Sequence, residues 1–129
     1  MDRYLSSLSL LGIVFVSAQS PEPDTMTFCT PSIEPAITVT ISDAQTNLPL
    51  EAKVVVQKQN FQEELQLSGV TPTGQFIYGG VFERPGVYTV STSSDGYETS
   101  VLEKVEVTQG ECHVLTRHLQ VRLKPVKCN

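Results

Sequence analysis

The sequence predicts an all-β domain, a seven-stranded β-sandwich with Greek-key connections. Two observations predict it. Short segments with apolar residues at alternate positions recur between turn signals, and no stretch keeps the apolar spacing of a helix for more than one turn. The pattern is clearest between residues 78 and 97, where Pro85-Gly86 and Asp95-Gly96 bracket a strand. Asp95-Gly96 suits a type I′ hairpin turn.

The first eighteen residues have the features of a secretory signal peptide. Arg3 supplies a positive charge, residues 5–16 form an apolar run, and Val16-Ser17-Ala18 places small residues before a cleavage point at Gln19. The run is shorter than the roughly 18 residues that a membrane-spanning helix needs, which argues against the alternative, a retained N-terminal anchor. We therefore expect a secreted or periplasmic chain without a membrane span.

Beyond the leader, the chain predicts one domain with two short flanks. Residues 19–35 are rich in Pro, Ser and Thr and are expected to form an extended arm without its own core. Residues 36–125 form the sandwich, and residues 126–129 are a tail. The net charge of −5 gives no attraction to nucleic acid or anionic lipid. Basic residues near the end of the chain are typical of a solvated strand face, with an anion site as the less favoured alternative.

The first strands follow from alternation. In chain order the predicted strands cover residues 36–42, 51–58, 61–67, 75–82, 86–93, 97–108 and 111–124. In the first, Ile37, Val39 and Ile41 alternate with threonines. A polar turn with Asp43 and Asn47 follows, since both side chains can bond the local backbone. The run of valines at residues 54–56 indicates burial on both faces or a bulge.

The later strands carry three irregularities. The segment 61–67 also fits one turn of helix, but it is too short for a stable helix alone. Gly79-Gly80 predicts a bulge or a close backbone approach. The apolar phase changes within the last strand, which predicts a bulge near Arg117-His118 or a strand that crosses between sheets.

Three cysteines, Cys29, Cys112 and Cys128, predict a disulfide in an exported protein. They allow three single bridges, and the sequence alone does not choose between them. We favour Cys29–Cys112, because it would pin the arm beside the last strand. Cys128 would then be a free thiol or an interchain link, which makes the protein a monomer or a Cys128-linked dimer.

Residues 37–52 resemble the start of the carboxypeptidase regulatory-like domain, a strand, Asp, a polar turn and Gly-x-Pro-Leu-x-Gly-Ala, with Asn47 where that family usually has Gly. The Arg-Pro-Gly-Val-Tyr-Thr-Val stretch at residues 84–90, Gly96-Tyr97 and the Glu-Cys-His-Val stretch at residues 111–114 are similar to one branch of it. That branch consists of small, exported, single-domain bacterial proteins.

The resemblance extends from Cys29 to Lys124. It implies a transthyretin-like seven-stranded sandwich and supports the Cys29–Cys112 bridge, because both positions match the branch. In the wider family such domains are non-catalytic modules attached to peptidases, receptors and adhesins. Cys128 departs from the branch pattern.

The sequence carries no complete catalytic motif, so we predict no enzyme and no cofactor. The chain has two histidines, His113 and His118, without a carboxylate three residues beyond either. Positions five apart on a straight strand face opposite ways, so they are only weak candidates for a ligand or metal site. The Tyr-Arg-Gly-Ser tail of the purine-pathway hydrolases with this kind of sandwich is missing, as is a Gly-x-Ser-x-Gly elbow.

The function predicted first is therefore a non-catalytic exported module that binds a protein or contributes to the cell envelope. The alternative is a module that binds carbohydrate or another small ligand through exposed aromatic rings, for which Tyr78, Tyr88 and Tyr97 are available. Core packing is the more usual role of such rings. A hydrolase ranks third.

Overall fold

The structure, a computed structural model, describes residues 28–127. It confirms an all-β sandwich of two four-stranded sheets, with eight strands where the sequence predicted seven. The strands are β1 Ile37–Asp43, β2 Lys53–Lys58, β3 Phe61–Glu64, β4 Gln66–Val70, β5 Phe76–Gly80, β6 Gly86–Ser93, β7 Ser100–Val107 and β8 Arg117–Leu123. The predicted signal peptide, the arm up to residue 27, and Cys128 lie outside the described residues.

The first sheet has the strand order β4-β5-β1-β8. β1 pairs antiparallel with β5 and parallel with β8, so Ile37 lies opposite both Gly80 and Arg117. Ile37, Val39 and Ile41 are fully buried, while the threonines between them face outward. The alternation in the sequence therefore identified the core face of the central strand.

The second sheet has the strand order β3-β2-β6-β7 and covers the same core. Val54 and Val56 are fully buried and Val55 between them is half-buried, so β2 alternates without a bulge and the prediction of two buried faces was wrong. β6 contributes Tyr88 and Val90, both buried.

The strand that crosses between the sheets is not the last one. Residues 61–70 pair first with β2 as β3 and then with β5 as β4. Leu65 lies at the crossing, where its amide donates to the Val54 carbonyl at 2.8 Å and its side chain enters the core. This division makes the eighth strand, and β4 extends past the predicted end at residue 67, so the turn before β5 lies at residues 71–75.

The last strand begins at Arg117, so the prediction of a strand from residue 111 was wrong. Residues 111–116 form a loop. The amide of Gly110, just before it, donates to the His113 carbonyl at 2.9 Å. Val114 is buried from this loop, while Val121 and Leu123 are buried from β8. The change of apolar phase therefore marks the boundary between a loop and a strand.

The two glycine signals had different outcomes. A Cβ on Gly80 would lie 2.6 Å from the Glu63 carboxylate, which confirms the predicted close approach. The Asp95-Gly96 turn is not type I′, because only Gly96 has a positive φ. The connection between β6 and β7 covers residues 94–99, and Tyr97 within it pairs with Pro125.

Thr92 offers a direct test of the core. It is 1% exposed, and its hydroxyl is the one buried side-chain oxygen in residues 28–127 without a hydrogen-bond partner. Because an unpaired hydroxyl is costly to bury, Thr92→Val is expected to raise the free energy of unfolding by about 1 kcal/mol. Urea unfolding of the two proteins measures the difference, and a loss of stability would show that the hydroxyl has a partner in solution.

Candidate functional site

A disulfide holds the described part of the arm, residues 28–35, against the end of the sandwich where β1 begins. It joins Cys29 to Cys112 with a Cα–Cα distance of 5.2 Å, which confirms the favoured pairing. A bond of this kind is typical of an oxidising, extracytoplasmic environment. Nearby, the Thr116 hydroxyl donates to the Pro35 carbonyl at 2.7 Å. The arm is thus tied to the loop that precedes β8.

Glu83 makes the second connection between the arm and this loop. Its backbone amide donates to the Glu34 carbonyl, and its Oε2 accepts the Glu34 amide, both at 2.9 Å. Its Oε1 accepts the Val114 amide at 3.1 Å. The residue has a φ of 54°, a left-handed conformation that side chains rarely adopt. One carboxylate therefore bonds segments that are far apart in the sequence.

His113 completes the arrangement. Its Nδ1 lies 2.5 Å from Glu83 Oε2, and its Nε2 lies 3.1 Å from the Thr30 hydroxyl. An ionised carboxylate only accepts, so Nδ1 carries the proton, and in the neutral ring Nε2 accepts from Thr30. We call Thr30, Glu83, His113 and the Cys29–Cys112 disulfide the clasp.

The surroundings of Glu83 favour its ionised form. Burial acts to raise the pKa of this carboxyl group, but the hydrogen bonds from the Glu34 amide, His113 and the Val114 amide together outweigh it. The pKa is therefore held below its ordinary value of 4.5. Because the unfolded chain takes up this proton at a higher pH than the folded chain, the stabilisation is complete above pH 4.5 and is lost as the pH falls through the lowered pKa.

Glu83→Gln tests this connection through pH. We expect the variant to be less stable than the parent at pH 7, because the amide cannot accept all the bonds that the carboxylate accepts. The difference in free energy of unfolding should shrink as the pH falls below 4.5. Urea unfolding at pH 7, 5, 4 and 3 measures it, with Glu98→Gln, at the opposite end of the sandwich, as the control. A difference that does not depend on pH would contradict the assignment.

The clasp places a hydroxyl, an imidazole and a carboxylate in the order used by hydrolytic triads. A triad also needs oxyanion donors and room for a substrate. Here both oxygens of Glu83 bond backbone amides of the arm and the loop. These contacts connect the arm to the loop, and His113 bridges the two segments.

His118 lies apart from His113. It is exposed on the outer face of the first sheet, where Nδ1 lies 2.6 Å from the Thr38 hydroxyl. The bulge that would have brought the two rings together is absent, since His113 precedes β8 and His118 lies within it. Among residues 28–127 no three His, Cys, Asp or Glu side chains are grouped to hold a metal ion.

The three tyrosines named from the sequence do not form an exposed platform. Tyr78 and Tyr88 are buried, and their hydroxyls bond the Ala52 amide and the Arg84 carbonyl. Tyr97 is half-buried, and its hydroxyl donates to Asp43 at 2.6 Å. The rings therefore pack against the core. These three tyrosines do not support a stacking site for glycans.

Asp43 organises the opposite end of the sandwich. It accepts the Tyr97 hydroxyl and, at 2.7 and 3.0 Å, the amides of Gln45 and Thr46. The Tyr97 hydroxyl, followed by the Thr46 and Gln45 amides, lowers the pKa of Asp43, and the same contact with Asp43 raises the pKa of Tyr97. This turn holds the connection between β6 and β7 against the start of the β1–β2 connection.

Two surface features are considered as binding candidates. A polar hollow of about 260 Å³ lies on the outer face of the first sheet and is lined by Thr40, Ser42, Asn47, Gln75, Gln120 and Arg122. At the clasp, four large apolar side chains are at least 48% exposed: Phe28, Ile33, Phe82 and Leu115. We call these four residues the apolar rim. Neither feature is recognisable in the sequence, because each combines residues from separate segments.

Comparison with known proteins adds no assignment: no family model matches the chain, and no curated protein matches it. Residues 28–127 include no helix with the length and apolarity to cross a membrane.

Proposed function

We propose that this protein is an exported, non-catalytic β-sandwich module that binds a partner protein through the apolar rim. One observation carries the proposal: each of the four exposed apolar side chains is next in sequence to a residue that fixes the arm, namely Cys29, Glu34, Glu83 or Val114. Exposed apolar patches on soluble proteins mark interaction sites when they are large and contiguous. The partner expected here is a protein surface with complementary apolar side chains.

The clasp explains why such a surface would be useful. Phe28 and Ile33 lie on the arm, which contributes no side chain to the core before Ala36. The disulfide and Glu83 nevertheless hold this segment in one place. A segment ordered before binding loses less conformational entropy when the complex forms. The clasp therefore orders the arm during folding, so that less conformational entropy is lost when a partner binds the rim.

The wider assignment is a carboxypeptidase regulatory-like domain with a transthyretin-like sandwich. The Cys29–Cys112 bridge supports it, because both cysteines match the positions of the resembling branch. Asn47 also supports it, since its φ of 64° is one that glycine adopts most readily, and glycine is usual there in the family. A non-catalytic role is what this resemblance implies.

Site-specific photocrosslinking tests the proposal. A photoreactive phenylalanine analogue is placed at Phe82 in the rim and, as the matched control, at Val87 on the outer face of β6. We expect one crosslinked protein from position 82 and none from position 87. The identified partner, once purified, should bind the full chain, and Leu115→Ser should weaken binding at least about tenfold while Val87→Ser does not. Equal adducts from both positions, or binding unchanged by Leu115→Ser, would refute the proposal.

A carbohydrate- or small-ligand-binding module is the second candidate, and the polar hollow favours it. Its lining supplies hydroxyls, amides and Arg122, and includes no acidic residue. Such groups hydrogen-bond sugar hydroxyls, and Arg122 would add a preference for a carboxylated or sulfated sugar. A glycan array read with the parent and with Arg122→Ala tests it. Acidic glycans bound by the parent alone would support this function, and an array without signals would exclude those glycans as ligands.

A hydrolase is the third candidate. Only the sequence of hydroxyl, imidazole and carboxylate in the clasp favours it. Hydrolysis of an activated ester such as p-nitrophenyl acetate, compared between the parent and His113→Ala, tests it. We expect equal rates, because the imidazole is engaged in holding the arm.

A further inference from the structure

The first sheet ends in a strand that differs from the other outer strands. β4 bonds to β5 on one side, and the described part of the chain places no strand on its other side. Its five residues include no charge, and Leu67 and Val70 are 56% and 57% exposed. An uncharged outer strand with exposed apolar residues is a template for pairing with another strand.

The other three outer strands carry charges that protect them. β3 carries two acidic residues, Glu63 and Glu64. β7 carries Glu103, Lys104 and Glu106, and Lys104 has a φ of 58°, which interrupts the extended backbone. β8 carries Arg117 and Arg122. Charges and irregular backbone are the usual means by which proteins prevent pairing at sheet edges, and β4 lacks the first of them.

A β-bulge in β4 places its two exposed apolar side chains on the same face. Leu67 lies opposite Tyr78 and Val70 lies opposite Phe76, with the register shift between Leu67 and Gly69. Tyr78 and Phe76 are two residues apart on β5 and therefore point to the same face, the one that covers the core. Residues directly opposite each other share a face. Without the bulge, Leu67 and Val70 would point to opposite faces.

We propose that β4 pairs with β4 of a second copy of this chain, so that the two first sheets join into one. Antiparallel pairing about a two-fold axis brings the exposed Leu67 and Val70 of each copy to the shared edge. No charged side chain of β4 is opposed in this pairing, whereas self-pairing of any other outer strand would bring charges into the interface.

This interface is independent of the apolar rim and of Cys128. A single pair of short strands buries less area than stable dimers do, so the expected dimer is weak and depends on concentration. The test therefore uses Cys128→Ser, which removes an interchain disulfide as an explanation and leaves the Cys29–Cys112 bridge intact. Sedimentation velocity is recorded from about 1 µM to about 500 µM.

We expect reversible monomer–dimer association in Cys128→Ser. Adding Leu67→Lys or Val70→Lys should raise the dissociation constant at least about tenfold, because each places lysines in the shared interface at two symmetric positions. Val101→Lys on β7, whose parent residue is 52% exposed, is the control and should leave the constant unchanged. Circular dichroism checks that each variant folds.

Hydrogen exchange gives a second readout that needs no substitution in β4. Amides of residues 66–70 should exchange more slowly at high protein concentration than at low concentration, and those of β7 should not change. A chain that stays monomeric with unchanged protection would overturn the proposal. So would a dimer that neither Leu67→Lys nor Val70→Lys weakens, since its interface would lie on another surface.

Discussion

Replacing Cys29 and Cys112 together with serine is expected to lower the free energy of unfolding by about 3–4 kcal/mol. The two residues are 83 positions apart, so the bridge removes much of the conformational freedom of the unfolded chain. Part of the loss will come from the folded state. The arm contributes few buried contacts of its own, so without the bridge we expect it to be held less firmly to the sandwich. Urea unfolding of the double variant and the parent measures the difference.

Cys128→Ser alone is the control, and it should leave the free energy of unfolding unchanged. Hydrogen exchange separates the two sources of the effect: amides of residues 30–36 should lose protection in the double variant, while those of β1 and β6 keep theirs. A double variant as stable as the parent would mean that the hydrogen bonds of Glu83 suffice to hold the arm.

Tyr88→Ala is expected to lower the free energy of unfolding by about 3–5 kcal/mol. It removes the largest fully buried side chain of the described residues and leaves a cavity between the sheets. The hydroxyl of Tyr88 donates to the Arg84 carbonyl at 2.6 Å and steadies the turn that leads into β6. Burial raises the pKa of this hydroxyl above its ordinary value of 10.0. The ring therefore fills the core at one end and anchors a turn at the other.

Tyr88→Phe separates these two roles. It keeps the ring and removes the hydroxyl, so the expected loss is about 1 kcal/mol. Thermal or urea unfolding of both variants measures the two terms. A small effect of Tyr88→Ala would contradict the placement of this ring in the core, and would return it to the set of rings available to a ligand.

The fold class could be predicted because it depends on local patterns. β1 and β6 alternate in the sequence as they do in the structure, since one face of each lies against the core. The polar turn after β1 was predicted from Asp43 and Asn47 for the same kind of reason: the Asp43 side chain accepts the amides of Gln45 and Thr46, and Asn47 adopts a φ of 64°.

The crossing at Leu65 and the loop at residues 111–116 could not be predicted in this way. Alternation shows which residues are buried, but it does not show which sheet buries them. Residues 61–70 continue as extended chain through the crossing, so their pattern hides the change of partner. In the loop, Cys112 and Val114 are two residues apart and so imitate the alternation of a strand. Cys112 is held by the disulfide and Val114 by the core.

The sequence by itself determined the all-β class, the core face of the central strands and the set of cysteines from which the bridge is made. The tertiary structure decided the clasp, the polar hollow and the exposed β4 edge. Glu83 shows the reason most directly: it reads as a single acidic residue in a turn, and its role comes from Glu34, His113 and Val114, which folding brings to it. Contacts between distant segments depend on how the sheets pack, and no local pattern of residues encodes them.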